Sequence, residues 1–267
     1  MIDGRTRVFG ILGSPVAHSL SPTMQTAAFT ASGINAVYVP LPCDTSDVAT
    51  LISTLTSAGG GGNVTIPHKG AAATSVDQPS ETVTVLGACN TFWGDEQGSL
   101  GGNTDVAGVT QALQQIGAPA SAWLVVGTGG SARAVVEAAK SAGAAVAVKS
   151  RSVVKAAQFR EWITSRGLEV ADPAEAEVAI NATPLGMLDS DPLPVEREEV
   201  PAMRVALDLV YRSRHTPWIR ALRHDGFTAE DGRTMLVAQG AAAFEQWFPG
   251  VDAPREVMRA VVEHALR

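Results

Sequence analysis

Lys69 closes the stretch Asn63-Val64-Thr65-Ile66-Pro67-His68-Lys69, and further along an acid, Asp105, closes Asn103-Thr104-Asp105. An ammonium held beside a carboxylate can polarise a carbonyl and hand a proton to the alkoxide that forms. Val64 and Ile66 alternate as in a strand, and Pro67 ends such a run. Lys69 is therefore expected on a turn at the strand's tip, where a rigid sheet aims it into a cleft. The competing reading is a solvated surface pair contributing at most about 1 kcal/mol.

A second constellation supplies a partner for that chemistry. Leu124-Val125-Val126-Gly127-Thr128-Gly129-Gly130-Ser131-Ala132 follows an apolar run and opens a helical pattern. Gly127, Gly129 and Ala132 have the spacing of a dinucleotide-binding turn. Gly127 permits the tight turn, Gly129 lets backbone approach a pyrophosphate, and Ala132 lets helix and strand pack closely. The helix amino end then offers N–H groups and a positive dipole to phosphate. An NAD site places an acid about twenty residues on, at the end of the next strand, whereas here the chain reads Lys149-Ser150-Arg151-Ser152 with Lys155 nearby and no acid expected in reach. Arg151 can clamp a 2′-phosphate through paired hydrogen bonds, which selects NADP.

These residues need an α/β frame. Strands are expected over 8–12, 36–41, 88–93, 123–126, 144–149, 178–181, 205–209 and 228–229. Helices are expected over 22–32, with Ser21 as cap and Pro22 in the first turn, and over 47–58, 106–116, 234–247 and 254–265. The fold class is α/β, with an amino-terminal α/β substrate domain and a Rossmann-like, doubly wound nucleotide-binding domain. Residues 1–105 are expected to form the first and 106–235 the second, with 236–267 returning to the first. Two domains holding separate parts of one reaction imply closure during turnover.

Composition excludes several alternatives. Across 267 residues, 45% are hydrophobic and 18% charged, as expected of a globular chain. A net charge of −7, with no basic stripe, argues against nucleic acid. No apolar run reaches the roughly 18–20 residues a bilayer span needs, and no signal peptide opens the sequence. Cys43 and Cys89 have no disulfide or metal spacing and are expected as small buried hydrophobes in a reducing cytoplasm. His215, His224 and His264 share no ligand spacing, so no metal is expected. His18 is expected to be a satisfied structural histidine, and His68 incidental.

Six segments together resemble the shikimate dehydrogenase family, in order and along most of the chain. They are Gly13-Ser14-Pro15-Val16-Ala17-His18-Ser19-Leu20-Ser21-Pro22, the Asn63 to Lys69 stretch, Gly87-Ala88-Cys89-Asn90-Thr91, Asn103-Thr104-Asp105-Val106-Ala107-Gly108, Asn181-Ala182-Thr183-Pro184-Leu185-Gly186-Met187, and Met235-Leu236-Val237-Ala238-Gln239-Gly240. Departures from the family pattern are Met24-Gln25-Thr26, Ser150-Arg151-Ser152 in place of Asn-Arg-Thr, and Tyr211-Arg212-Ser213. The resemblance implies reversible reduction of 3-dehydroshikimate to shikimate with NADPH. Lys69 would be the acid–base residue, with Asp105 orienting it. Ser19 and Ser21 would donate to the substrate carboxylate, and Thr65, Asn90, Tyr211 and Gln239 would bind the ring and its hydroxyls. The implied cofactor set is Gly127, Thr128, Gly129, Gly130, Ser131, Ala132, Ser150, Arg151, Ser152, Lys155, Thr183, Met187, Leu209 and Gly232. A monomer or homodimer is expected, with no nucleic-acid or membrane partner. The alternatives are a quinate or aminoshikimate dehydrogenase of the same family, and a non-catalytic NADP-binding sensor, against which the intact Lys69 and Asp105 argue.

Overall fold

The computed structural model describes residues 2–267. Two compact units are present: Met1–Gly108 with Leu236–Ala265, and Val109–Met235 with Leu266–Arg267.

The first unit runs through β1 (Arg7–Gly13), α1 (Ser21–Ala31), β2 (Ala36–Pro42), α2 (Val48–Ser57), β3 (Gly61–Val64), α3 (Lys69–Ser75), β4 (Gln78–Pro79), α4 (Glu81–Leu86), β5 (Thr91–Asp95) and β6 (Gly98–Gly102), and then enters α5 (Asp105–Gln115). Its sheet is mixed, in the order β2-β1-β3-β5-β6-β4. β1 lies parallel to β2 and β3, and β5 antiparallel to β3 and β6. Alternation along β1 splits the core. Leu12 joins Val48 and Ile52 of α2 and Ala72 of α3 on one side, while Phe9 packs in tilted contacts with Phe29 and Trp247 on the other, 5.0 Å from the indole. Each fully buried side chain of this size contributes roughly 1.5–3 kcal/mol.

Local expectations fail here for physical reasons. Gly61 and Gly62 lie inside β3, because a Cβ on Gly62 would strike the Gly10 carbonyl oxygen on the adjacent strand. Ile66 is outside the strand and 53% exposed. Lys69 is the first residue of α3 rather than a turn residue, since the alanine run that follows it propagates a helix. Ser21 is likewise inside α1, with Leu20 as its cap residue. The strand expected from 88 begins only at Thr91, since the Cys89 N–H donates to the Lys69 carbonyl instead (2.9 Å).

The second unit holds β7 (Trp123–Val126), α6 (Gly130–Ala142), β8 (Val146–Lys149), α7 (Val153–Ser165), β9 (Val178–Asn181), β10 (Val205–Asp208), α8 (Pro217–His224) and β11 (Thr228–Glu230). All five strands are parallel, in the order β11-β10-β9-β7-β8. β7 is covered on both faces. Trp123 and Val125 pack with Val135 of α6 and Ile163 of α7, and Leu124 and Val126 lie in the cluster of Trp218 and Ile219 of α8. That double covering explains the continuous apolar strands and identifies a doubly wound sheet. The strand order reverses between β7 and β9, which opens a crevice at their carboxyl ends. The chain ends through α9 (Arg233–Trp247) and α10 (Arg255–Ala265), the latter packed on α1.

Candidate active site

In the first unit, the carboxyl end of β3 and the amino ends of α3 and α5 meet around one ion pair. Lys69 Nζ donates to Asp105 Oδ2 at 2.5 Å, with side chains only 14% and 5% exposed. A cation at the first position of α3 opposes the helix dipole, whereas a carboxylate at the first position of α5 is favoured by it. The pair thus sets the acid directly against the lysine's charge. Asn90 Nδ2 donates to Asp105 Oδ1 (2.8 Å) and to Thr104 Oγ1 (3.0 Å), and Asn90 Oδ1 accepts from the Thr104 N–H (2.8 Å). Asn103 Oδ1 accepts from the Asp105 N–H (3.0 Å), and its amide donates to the Ala88 carbonyl (2.8 Å). Tyr38 O–H donates to Asn63 Oδ1 (2.8 Å), while Asn63 Nδ2 donates to the Asn90 carbonyl (3.1 Å). These bonds orient the carboxylate, the segment that carries it, or the Asn90 segment that braces it.

Asn63, Asn103 and Thr104 stand in the quoted motifs, yet the sequence reading gave them no role. An asparagine inside an apolar strand, a position where that residue is depleted, is the signal that would have found Asn63. His68 is not incidental. It is 2% exposed, with Nε2 2.9 Å from the Cys43 carbonyl and Nδ1 3.1 Å from Thr45 Oγ1, and so ties the start of α3 to the loop after β2. His18 is exposed, not a packed structural histidine, and Cys43 is half-buried rather than buried. Burial pushes the Cys89 thiol up to about 12, so it is inert as a nucleophile.

Of the other expected substrate contacts, Thr65 lies beside Gly13, where a Cβ would collide with its methyl group. The Ser19 hydroxyl accepts from the Ser21 N–H (3.2 Å), and Ser21 is buried at the start of α1. Gln239, half-buried on α9, donates to the Leu236 carbonyl one turn back (3.1 Å). Tyr211 belongs to the second unit, after β10, and is half-buried there.

The second unit gathers the expected cofactor residues at the crevice. Gly127 has φ of +113°, a conformation that favours glycine. A Cβ there would lie 3.0 Å from the Ala182 carbonyl oxygen and 3.1 Å from Thr183 Cγ2. Gly129 caps α6 with no side-chain hydrogen bond, and nothing lies within 4 Å of where its Cβ would be. An open cradle at the uncapped start of a 13-residue helix fits a pyrophosphate. Thr128, Gly130, Ser131 and Ala132 complete that turn. Ser152 caps α7 by accepting from the Lys155 N–H (3.3 Å), and Ser150 accepts from the Ser152 N–H (3.3 Å), which folds the Arg151 turn with that residue exposed. A Cβ on Gly232 would strike the Leu209 carbonyl oxygen, and Gly232 N–H donates to Val210 (3.1 Å), so Leu209 and Gly232 meet. Met187 is exposed on the loop after β9.

The turn does have an acid in reach. Glu199, 50 residues away in sequence, accepts from Lys149 Nζ at 2.5 Å and from the Glu196 N–H at 2.8 Å. Burial raises its carboxyl and the Lys149 and Glu196 hydrogen bonds lower it, with a net displacement below the ordinary glutamate value. The carboxylate is thus engaged by the lysine. No group of three or more His, Cys, Asp or Glu among the described residues could hold a metal ion, and no helix of theirs is long and apolar enough to cross a membrane.

A family model described as the shikimate dehydrogenase substrate binding domain matches residues 11–92, and one described as the shikimate 5′-dehydrogenase C-terminal domain matches residues 232–263. A shikimate dehydrogenase (NADP+) of Microcystis aeruginosa is 37% identical over 278 residues, covering 97% of each chain. The chain belongs to the shikimate dehydrogenase family. The enzyme of that name from Rubrobacter xylanophilus is 38% identical, covering 97% of this chain and 96% of its own. Among solved structures, shikimate 5-dehydrogenase of Thermus thermophilus in complex with NADP(H) and shikimate superposes with a TM-score of 0.87 at 33% identity, over 98% of this chain and all of that one. Family membership accounts for why the six segments occur together, and the geometry above shows what holds them.

Proposed function

We propose that the protein catalyses the reversible, NADPH-dependent reduction of the ketone of 3-dehydroshikimate to the alcohol of shikimate, a cytoplasmic step of aromatic amino-acid biosynthesis. The buried Lys69–Asp105 pair, braced by Asn90, carries this reading. NADPH supplies the hydride when bound. Lys69 is the group that polarises the ketone oxygen and gives it a proton, an effect of about 10²–10⁴ in rate. Asp105 orients the lysine, and with Asn90 and Thr65 it addresses ring hydroxyls. Ser19 and Ser21 donate to the carboxylate, and Tyr211 and Gln239 add polar contacts to the ring. Arg151 takes the 2′-phosphate, and the uncapped start of α6 takes the pyrophosphate.

Polar groups committed to ring hydroxyls are stranded by a substrate that lacks them, so discrimination among rings should be steep. The test is NADP+ reduction at 340 nm with shikimate, quinate and aminoshikimate in parallel, with Lys69→Ala as control. Turnover of shikimate that collapses in the variant is the expected result. Tight NADP+ binding with no turnover of shikimate would overturn the reading, and preference for another ring would move the chain within the family. Sedimentation would place it as the proposed monomer or homodimer.

A further inference from the structure

Asp208 ends β10 with no exposed surface and lies outside the residues assigned above to substrate or cofactor. Three donors converge on it. Asn181 Nδ2 (2.8 Å) and the Val210 N–H (3.0 Å) reach Oδ1, and Thr216 Oγ1 (2.8 Å) reaches Oδ2. Asn181, equally buried at the end of β9, spends its second amide hydrogen on the Leu185 carbonyl (2.9 Å). Its Oδ1 accepts from the Thr183 N–H (3.0 Å) and hydroxyl (2.6 Å), and that hydroxyl accepts in turn from the Leu185 N–H (3.1 Å). Residues 181–185 are thereby closed into a fixed loop. The glycine turn rests on this loop: Ala182 N–H donates to Val126 (2.9 Å), and Gly127 faces Ala182 and Thr183 closely enough to exclude a side chain.

Asp208 Oδ1 takes the Val210 N–H and so acts as an acceptor, with any carboxyl proton on Oδ2 against the Thr216 hydroxyl, whereas an asparagine amide can face either way. Asp208 therefore forces the NH₂ of Asn181 toward itself and toward Leu185, which leaves Oδ1 as the only atom facing Thr183. Reversing that amide would set an N–H against the Thr183 N–H and open the loop.

We infer that Asp208 is a positioning residue, which sets the orientation of Asn181 and through it holds the loop 182–185 in the shape that receives the half of the dinucleotide lying beyond the switch point. This inference rests on the NADP reading of the crevice. A doubly wound sheet binds the two nucleotide halves on either side of that point. The adenosine half belongs to β7, β8 and the Arg151 turn, and the other half to the loops after β9 and β10. A carboxamide at 208 no longer dictates the orientation of Asn181, so damage should fall on one half of the ligand only.

The experiment titrates wild type, Asp208→Asn and Thr216→Val with NADP+ and with adenosine 2′,5′-bisphosphate by calorimetry. The calorimetry is accompanied by thermal melts and by kcat and KM for shikimate. Asp208→Asn is expected to weaken NADP+ about tenfold while leaving the bisphosphate within about twofold, since losing one well-placed buried bond is a change of that order. Thr216→Val removes a single donor and should give a smaller loss of the same pattern, with Thr216→Ser restoring wild-type affinity. Lowered kcat with unchanged KM for shikimate agrees with a misplaced loop. Equal weakening of both ligands, or a lowered melting temperature with both affinities intact, overturns the inference. If Asp208→Asn does not fold, the Thr216 pair decides between these outcomes. Wild type that binds the bisphosphate but not NADP+ would instead overturn the cofactor reading.

Discussion

Each unit of this molecule buries an asparagine–aspartate pair with the same contact, an amide donating to carboxylate Oδ1 at 2.8 Å: Asn90 to Asp105, and Asn181 to Asp208. The pairs differ in what fills the other oxygen. Asp105 meets the Lys69 ammonium, whereas Asp208 meets the neutral hydroxyl of Thr216. Burial raises the Asp208 carboxyl, the bonds from Thr216, Val210 and Asn181 lower it and Asp231 raises it again, for a net position of about 7. One motif thus yields an ion pair able to do proton chemistry and a clasp able to hold backbone. The cation, rather than the asparagine, decides which.

Removing that cation breaks the comparison hardest. Lys69→Ala should lower kcat by about 10²–10⁴ and destabilise the fold by about 3–5 kcal/mol, because Asp105 is left as an uncompensated buried charge. Steady-state rates and denaturant unfolding at neutral pH read both effects. Loss of activity without loss of stability would show that Asp105 has another compensating partner. Lys69→Met with Asp105→Asn should recover much of the stability and none of the activity.

The clasp responds to pH. Between about pH 4, where an unfolded aspartate ionises, and about pH 7 the folded state keeps a proton on Asp208 that the unfolded chain has released. Stability contributed by this group is then lost as pH rises through that window, by a few kcal/mol at most. The groups that face this corner are Asp231, its partners His215 (2.7 Å) and Arg233 (3.2 Å), and Arg212, which donates to the Gly186 carbonyl (3.4 Å). Asp208→Asn should gain on wild type from pH 5 to 7 and run parallel above it in urea unfolding. A constant difference across that range would mean that Asp208 is already ionised at pH 5.

Both pairs lie partly beyond what the sequence discloses. The glycine turn and the six segments were legible because their chemistry is local: Gly127 needs its positive φ, and Gly129 its open cradle, within a few residues. The Lys69–Asp105 pairing was legible because two motifs each bring one member. The start of α3 at Lys69 was not, since seven residues carry too little periodicity to outweigh a proline read as a strand stop. Contacts set by sheet order were also invisible: His68 on Cys43, Asp208 on Asn181, and above all Glu199 on Lys149. An asparagine or aspartate at the end of an apolar strand is the local hint of such contacts, but it does not name the partner.

Arg151 tests a charge with neither clasp nor partner at issue. Arg151→Ala should weaken NADP+ about tenfold or more and leave NAD+ unchanged, since only the 2′-phosphate would use its charge-assisted bonds. Equal loss of both cofactors in calorimetry would mean that the residue shapes the turn rather than reading the phosphate.

The Lys149–Glu199 pair extends the series to the surface, with side chains 34% and 43% exposed. Here a carboxylate has its cation, as Asp105 does, but water screens both, and exposed pairs contribute about 0.2–1 kcal/mol. Glu199→Gln should therefore barely change stability. It should, however, release the Lys149 ammonium at the very turn that carries Arg151, and so raise NADP+ affinity about twofold to fivefold, a gain that fades with added salt as screening sets in. NAD+ affinity should not move. If NADP+ affinity falls instead, Glu199 is holding Lys149 in its binding position, and the surface pair acts as the buried one does, by orienting a lysine rather than by neutralising it.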